Sequence, residues 1–180
     1  MPTTPLLDST AIGRTLVRMA SEIVEKGGGS DRLVLVGIQR RGVELAERLA
    51  RQIEKTERAQ VLRGKLDITL YRDDLSGVPA PRVGVTELQH DLTGKVVVIV
   101  DDVLHTGRTI RAALDELAEF GRPQRILLAV LVDRGGRELP IQPDIAGLTV
   151  TVPPGQAVKV SVVERDGSDA VELVPKAAPR

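Results

Sequence analysis

The chain has no cysteine and no tryptophan, and only one tyrosine, one phenylalanine and two histidines in 180 residues. Without cysteine it forms no disulfide and no thiolate metal site, a lack that suits a reducing cytoplasm. With so few rings it offers no stacking platform for single-stranded bases. Net charge is missing too, since 25 basic side chains balance 25 acidic ones. Any nucleic-acid partner must then be held by a local basic patch. No apolar run reaches membrane-spanning length, and the opening MPTTPLLDST has no basic-then-apolar signal pattern. The absences point to a soluble, cytoplasmic chain whose length suits one domain, 1–180, with a proper core.

What is present is an alternation of strand and helix signals. Asp8, Ser9 and Thr10 can cap a helix with Ile12, Leu16, Met19 and Ile23 on one face, stopped by the glycines at 27–29. LVLVGI (33–38) and VVVIV (96–100) are short apolar runs of the kind buried on both faces of a sheet. Leu45, Leu49 and Ile53 mark a second helix from Gly42, and Ile110, Ala113, Leu114 and Leu117 a third ending at Gly121 and Pro123. LDITLY (66–71) alternates and reads as a strand, RILLAVLV (125–132) as another, and the Gly- and Pro-rich residues 75–94 as a long loop or flap. The remainder, with LTVTV and VKVSVVE, is β-rich and broken by prolines. The whole predicts an α/β fold on a mostly parallel sheet.

One stretch asks for more. In VVVIVDDVLHTGRT (96–109) a strand runs into Asp101 and Asp102, and a Thr-Gly-Arg-Thr turn opens the next helix. Ligands bind beyond the carboxyl ends of parallel strands. Unpaired N–H groups and the positive end of a helix dipole suit a phosphate there, with Gly107 letting backbone approach and Thr106 and Thr109 adding hydroxyls. Two carboxylates accept hydrogen bonds from sugar hydroxyls or help hold a magnesium ion. A ribose 5-phosphate has both ends. A plain helix cap with surface charge would look similar at the Asp pair. Neither a Walker A loop nor a GxGxxG fingerprint occurs.

The same stretch resembles the phosphoribosyl-diphosphate (PRPP) signature of type I phosphoribosyltransferases. LVGIQRRGVELAERLA, LDITLYRDDLS and AVLVDRGGRELPI resemble, in order, segments of the bifunctional pyrimidine-operon regulators with uracil phosphoribosyltransferase activity. The resemblance spans roughly 30 to 145. It implies a type I phosphoribosyltransferase-like fold with a small β-rich hood in the last third, making UMP and diphosphate from uracil and PRPP. Asp101 and Asp102 would contact the ribose hydroxyls as the catalytic pair. Val103 and Leu104 would lead into the turn His105, Thr106, Gly107, Arg108 and Thr109 around the 5-phosphate. Arg40 and Arg41 match a pyrophosphate loop, and Arg82 a flap arginine closing on the diphosphate. Arg134 would lie where the pyrimidine sits, under a hood including Val158. Magnesium would be held mainly through PRPP, with no protein metal cluster expected. No residue stands out as the base for uracil N1; His105 reads as packing near the phosphate and His90 as solvated. A phosphoribosyltransferase for another base, without RNA regulation, is the alternative.

The resemblance also implies a second role, uridine-nucleotide-dependent binding of pyrimidine-operon leader mRNA, under UMP or UTP, by a basic face of a homodimer or higher oligomer. Arg14, Arg18 and Lys26 on the first helix, with Arg137, are the available matches. Val17, Ser21, Gly136, Gln142 and Leu148 stand where other members carry basic or polar residues, and each lost charge removes a phosphate contact. The solvated face of an amphipathic helix would look the same.

Overall fold

The computed structural model describes residues 3–71, 86–88 and 91–176. Its elements are β1 (Thr4–Leu7), α1 (Ser9–Gly27), β2 (Leu33–Ile38), α2 (Arg41–Glu57), β3 (Leu62–Leu66), β4 (Val96–Leu104), α3 (Arg108–Leu117), β5 (Arg125–Asp133), β6 (Ile145–Thr149), β7 (Gln156–Ser161), the one-turn α4 (Val163–Asp166) and β8 (Ala170–Pro175). Five strands form a sheet in the order β3-β2-β4-β5-β6, every neighbouring pair parallel. The chain's two ends meet in an antiparallel sheet of order β1-β8-β7.

The apolar runs explain the layers. Alternate residues of a strand face opposite sides, so each run feeds two cores. Leu33, Leu35, Val96, Val98, Val100, Leu127, Ala129 and Leu131 join α1 and α2 on one side. Val34, Val36, Val97, Ile99, Leu128 and Val130 join Ile110, Ala113 and Leu117 of α3 on the other. The helix ends follow the expected chemistry. The Asp8 carboxylate accepts from the Ala11 N–H at 2.7 Å. Gly28, at φ 73°, closes α1 by donating to Glu25, while Gly29 donates to Val24.

LDITLY is not a strand. The third parallel strand is the preceding LRGKL, and Ile68–Tyr71 is a 3₁₀ turn. Asp67 makes the switch: its carboxylate accepts from the Thr69 N–H at 3.0 Å and from the Thr69 hydroxyl, turning the chain out of the ladder. The Asp67 N–H donates to the Thr86 hydroxyl, which donates to the buried Glu116 of α3. Most of the flap expected over 75–94, with Arg82 and His90, lies outside the described residues. Of its remainder, Glu87 bridges edge strand β3 at Lys65, and Leu92 is buried in the second core.

The hood is pinned to α2 by ion pairs. Arg48 binds Glu164 and Asp169, at 2.5 and 2.8 Å, and Arg165 reaches back to Glu44 at 2.9 Å.

Candidate functional site

β4 does not stop at the carboxylates. It continues through Asp101 and Asp102 to Leu104, with Asp101 beside Val130 and Leu104 beside Asp133 of β5. Asp101, expected in a solvated mouth, is therefore buried at 7% exposure, while Asp102 is half-buried. Burial first, then the Asp102 charge, pushes the Asp101 carboxyl well above the usual carboxylate range. The Asp102 N–H donates to Asp101 at 2.9 Å, and the Val103 N–H donates to Asp102 at 2.8 Å. Each carboxylate is thus held by one backbone donor and keeps acceptor capacity for a ligand.

The start of α2 abuts this pair because Gly42 has no side chain. A Cβ there would lie 2.5 Å from the Val100 carbonyl oxygen and 3.3 Å from the Asp101 Cα. Arg41 is thereby brought within the field of Asp102. It is not a solvated cation: its Nε and Nη2 donate to both carboxylate oxygens of Asp166, at 3.0 and 2.9 Å. That pairing holds the Asp166 carboxyl down at about 2. Arg40 is exposed at the N-cap of α2.

The turn after β4, expected to hold a phosphate, bends on a glycine. Gly107 sits at φ 93°, a left-handed conformation that suits glycine; as the N-cap of α3 it has no side chain to offer, and the Arg108 N–H donates to the Thr106 hydroxyl at 3.3 Å. The turn is stitched to the loop after β5. Glu138 and Leu139 N–H groups donate to the Thr106 carbonyl at 3.0 and 3.1 Å, and Arg108 pairs with Glu138 at 2.7 Å. Thr106 and Thr109 are half-buried, Val103 packs on the first core, and Leu104 is buried.

A cavity of about 440 Å³ opens beside this turn, walled by His105, Arg134, Gly135, Gly136 and residues 149–152. Arg134 is half-buried, and its Nε is buried without a hydrogen-bond partner. An unmet buried donor of this kind asks for an explanation, and Arg134 also lines a space large enough for a ligand. His105 lines this cavity, so its side chain is not confined to the phosphate turn. The wall at 149–152 was not singled out from sequence, where LTVTV signalled only β structure. Val158 is half-buried on β7, where it packs against the first core.

The residues matched to RNA divide. Arg14 and Lys26 are exposed on α1. Arg18 donates to the Ala146 and Gly147 carbonyls at 3.2 and 2.6 Å, tying α1 to β6. Arg137 is an internal brace, paired with Asp133 at 2.8 Å and donating to the Ile141 and His105 carbonyls at 2.7 and 3.0 Å. It is poorly placed for RNA.

A phosphoribosyl transferase domain model matches residues 2–165. Over 172 residues the chain is 54% identical to the Bifunctional protein PyrR of Thermus aquaticus, covering 95% of each. To that of Chloroflexus aurantiacus it is 55% identical, covering 94% of this chain and 93% of the relative. This chain belongs to the bifunctional PyrR family of phosphoribosyl transferases. Among solved structures, the hypoxanthine phosphoribosyltransferase of Trypanosoma cruzi superposes with a TM-score of 0.72 at 19% identity, over 96% of this chain and 97% of that one. A likeness at that identity speaks to the type I phosphoribosyltransferase fold and not to the base accepted. Among the described residues no helix is long and apolar enough to cross a membrane.

Proposed function

We propose that this PyrR-family chain regulates pyrimidine biosynthesis genes by uridine-nucleotide-dependent binding of their leader mRNA, and transfers phosphoribose from PRPP to uracil. The observation that carries this is identity above 50% along nearly the whole chain with PyrR proteins, and the cavity at the strand ends supplies the chemistry. The C1′ bond to diphosphate breaks, a bond from uracil N1 forms, and the N1 proton leaves. Little covalent help is needed; positioning and neutralisation of the leaving diphosphate dominate.

In this reading Asp101 and Asp102 accept from the ribose hydroxyls, and the 105–109 turn holds the 5-phosphate through backbone N–H groups and the Thr106 and Thr109 hydroxyls. Arg40, Arg41 and Arg82 engage the diphosphate. Two of Arg41's five N–H donors already bind Asp166, so it can bind diphosphate with the rest without leaving the hood. Arg134 donates to the base under the hood residues, Val158 among them.

The donor set fits a magnesium ion carried by its substrate. Asp102, the accessible carboxylate of the pair, would help hold it. Bound there with the diphosphate, magnesium would neutralise the leaving group.

For RNA, Arg14 and Lys26 from two copies of α1 form the basic face, which makes a homodimer or higher oligomer the active form. A panel of uracil, hypoxanthine, guanine, adenine and orotate with labelled PRPP and magnesium tests the enzyme. UMP formation from uracil is expected to dominate; preferential purine turnover would overturn the assignment.

A further inference from the structure

The cavity beside Arg134 has a second polar wall, the imidazole of His105. The ring is there because residue 136 has no side chain. A Cβ on Gly136 would lie 2.8 Å from His105 Nε2 and 2.9 Å from its Cδ2. The backbone beneath is fixed, since Arg137 donates to the His105 carbonyl at 3.0 Å. Arg134 and the His105 imidazole therefore both line one space large enough for a pyrimidine.

We propose that His105 is the specificity-determining residue for the base: its imidazole accepts a hydrogen bond from a ring N–H while Arg134 donates to the adjacent carbonyl. This rests on the reading that the cavity takes the base.

An arginine can only donate. A neutral imidazole offers one acceptor nitrogen, and the surroundings favour that form. Burial and Arg134 lower its affinity for a proton, Lys176 and Arg137 add to that, and Glu138 opposes it. Asp133, the other charged group on the cavity wall, is paired with Arg137. Donor beside acceptor complements a carbonyl beside N3–H, the edge that uracil and UMP share. Cytosine and CMP present the reverse, an amino donor beside a bare N3. A site built for one pattern leaves polar groups unpaired against the other and so rejects it. Below the imidazole's titration the ring loses its acceptor, and the preference narrows.

The test compares the full-length protein with His105→Ala and His105→Gln. Two readouts are PRPP- and magnesium-dependent turnover of uracil and cytosine, and calorimetric binding of UMP and CMP between pH 5 and 8. Wild type is expected to prefer uracil and UMP. His105→Ala should lower kcat/KM for uracil about ten- to a hundred-fold and erase the UMP preference. His105→Gln, whose amide oxygen accepts, should recover part of the preference and hold it as pH falls, where wild type loses it on protonation of the ring. Gly136→Ala, which displaces the ring, should impair wild type but add little to His105→Ala.

A His105→Ala protein with the wild-type UMP-to-CMP ratio and pH profile would overturn the proposal, whether or not uracil is turned over. No turnover of any base by a wild type whose UMP preference depends on His105 would overturn the enzyme and leave this inference standing. A wild type that does not distinguish UMP from CMP refutes the inference directly.

Discussion

The Asp pair carries two different jobs in adjacent positions, because alternate residues of β4 face different environments. Asp101 is buried and its carboxyl is pushed up, first by burial and then by the Asp102 charge; Asp102 is half-buried at the mouth. A group whose folded-state value is raised contributes stability that is complete below the ordinary aspartate value near pH 4 and is lost as pH rises through the raised one. Asp101→Asn should therefore hold its stability as pH rises from 4 to 8 better than wild type, measured by urea unfolding, while transferase turnover falls roughly 10²-fold or more. Asp102→Asn should lose turnover and, by removing the Asp102 charge, weaken the pH dependence without abolishing it, since burial is the larger cause. Wild-type turnover in the double variant would reduce the pair to a structural feature of the strand end. The sequence carried the identities of these residues and their place at a strand's end; it could not carry the burial of Asp101. That depends on β4 running three residues past it beside β5, a matter of pairing between segments distant in the chain.

At the scale of elements, the loop after β5 is held by Arg137. Its side chain and that of Asp133 are each only 14% exposed, and its guanidinium caps two carbonyls. Removing one partner of a largely buried pair strands the other charge. Arg137→Ala is thus expected to destabilise the fold by about 3 kcal/mol and to weaken UMP binding through the loosened His105 turn, read by urea unfolding and calorimetry. Unchanged stability would return Arg137 to the surface and to RNA. The element scale also marks how far the sequence was legible. Strands buried on both faces announced themselves as apolar runs, and α1, α2 and α3 by helical spacing and caps, so the layers were readable. β3 was not, because LRGKL is a half-buried edge strand with a glycine and two cations. Its neighbour LDITLY mimics a strand while Asp67 turns it into a 3₁₀ turn. Arg18 and Arg137 looked like surface charges, since nothing local announces the distant Ala146, Gly147 and His105 carbonyls that they reach.

For the whole molecule, zero net charge makes RNA binding a question of a few local contacts. With Arg137 inside the fold and Arg18 tied to β6, the basic residues of α1 with exposed side chains and no such tie are Arg14 and Lys26. They lie 12 positions apart, about 18 Å along the helix and about 120° around it. Two copies of α1 in a dimer would present four separated cations rather than one dense patch. Such a face binds RNA weakly and electrostatically. Its affinity for the pyrimidine-operon leader should fall with salt by a log–log slope of about −0.7 to −0.9 for each phosphate neutralised. Arg14→Ala with Lys26→Ala, which removes four cations per dimer, should make the slope shallower by about 3 and spare uracil turnover, since neither residue is at the strand ends. If the pocket and the dimer face communicate, UMP tightens RNA binding, and RNA must tighten UMP binding by the same factor. That reciprocity separates regulation from simple polyanion affinity. Gel shifts across a salt series, with and without UMP, and calorimetry of UMP with and without RNA, measure both sides. Salt-dependent binding indifferent to UMP would leave a non-specific basic face; no binding at low salt would leave this PyrR-family chain an enzyme alone.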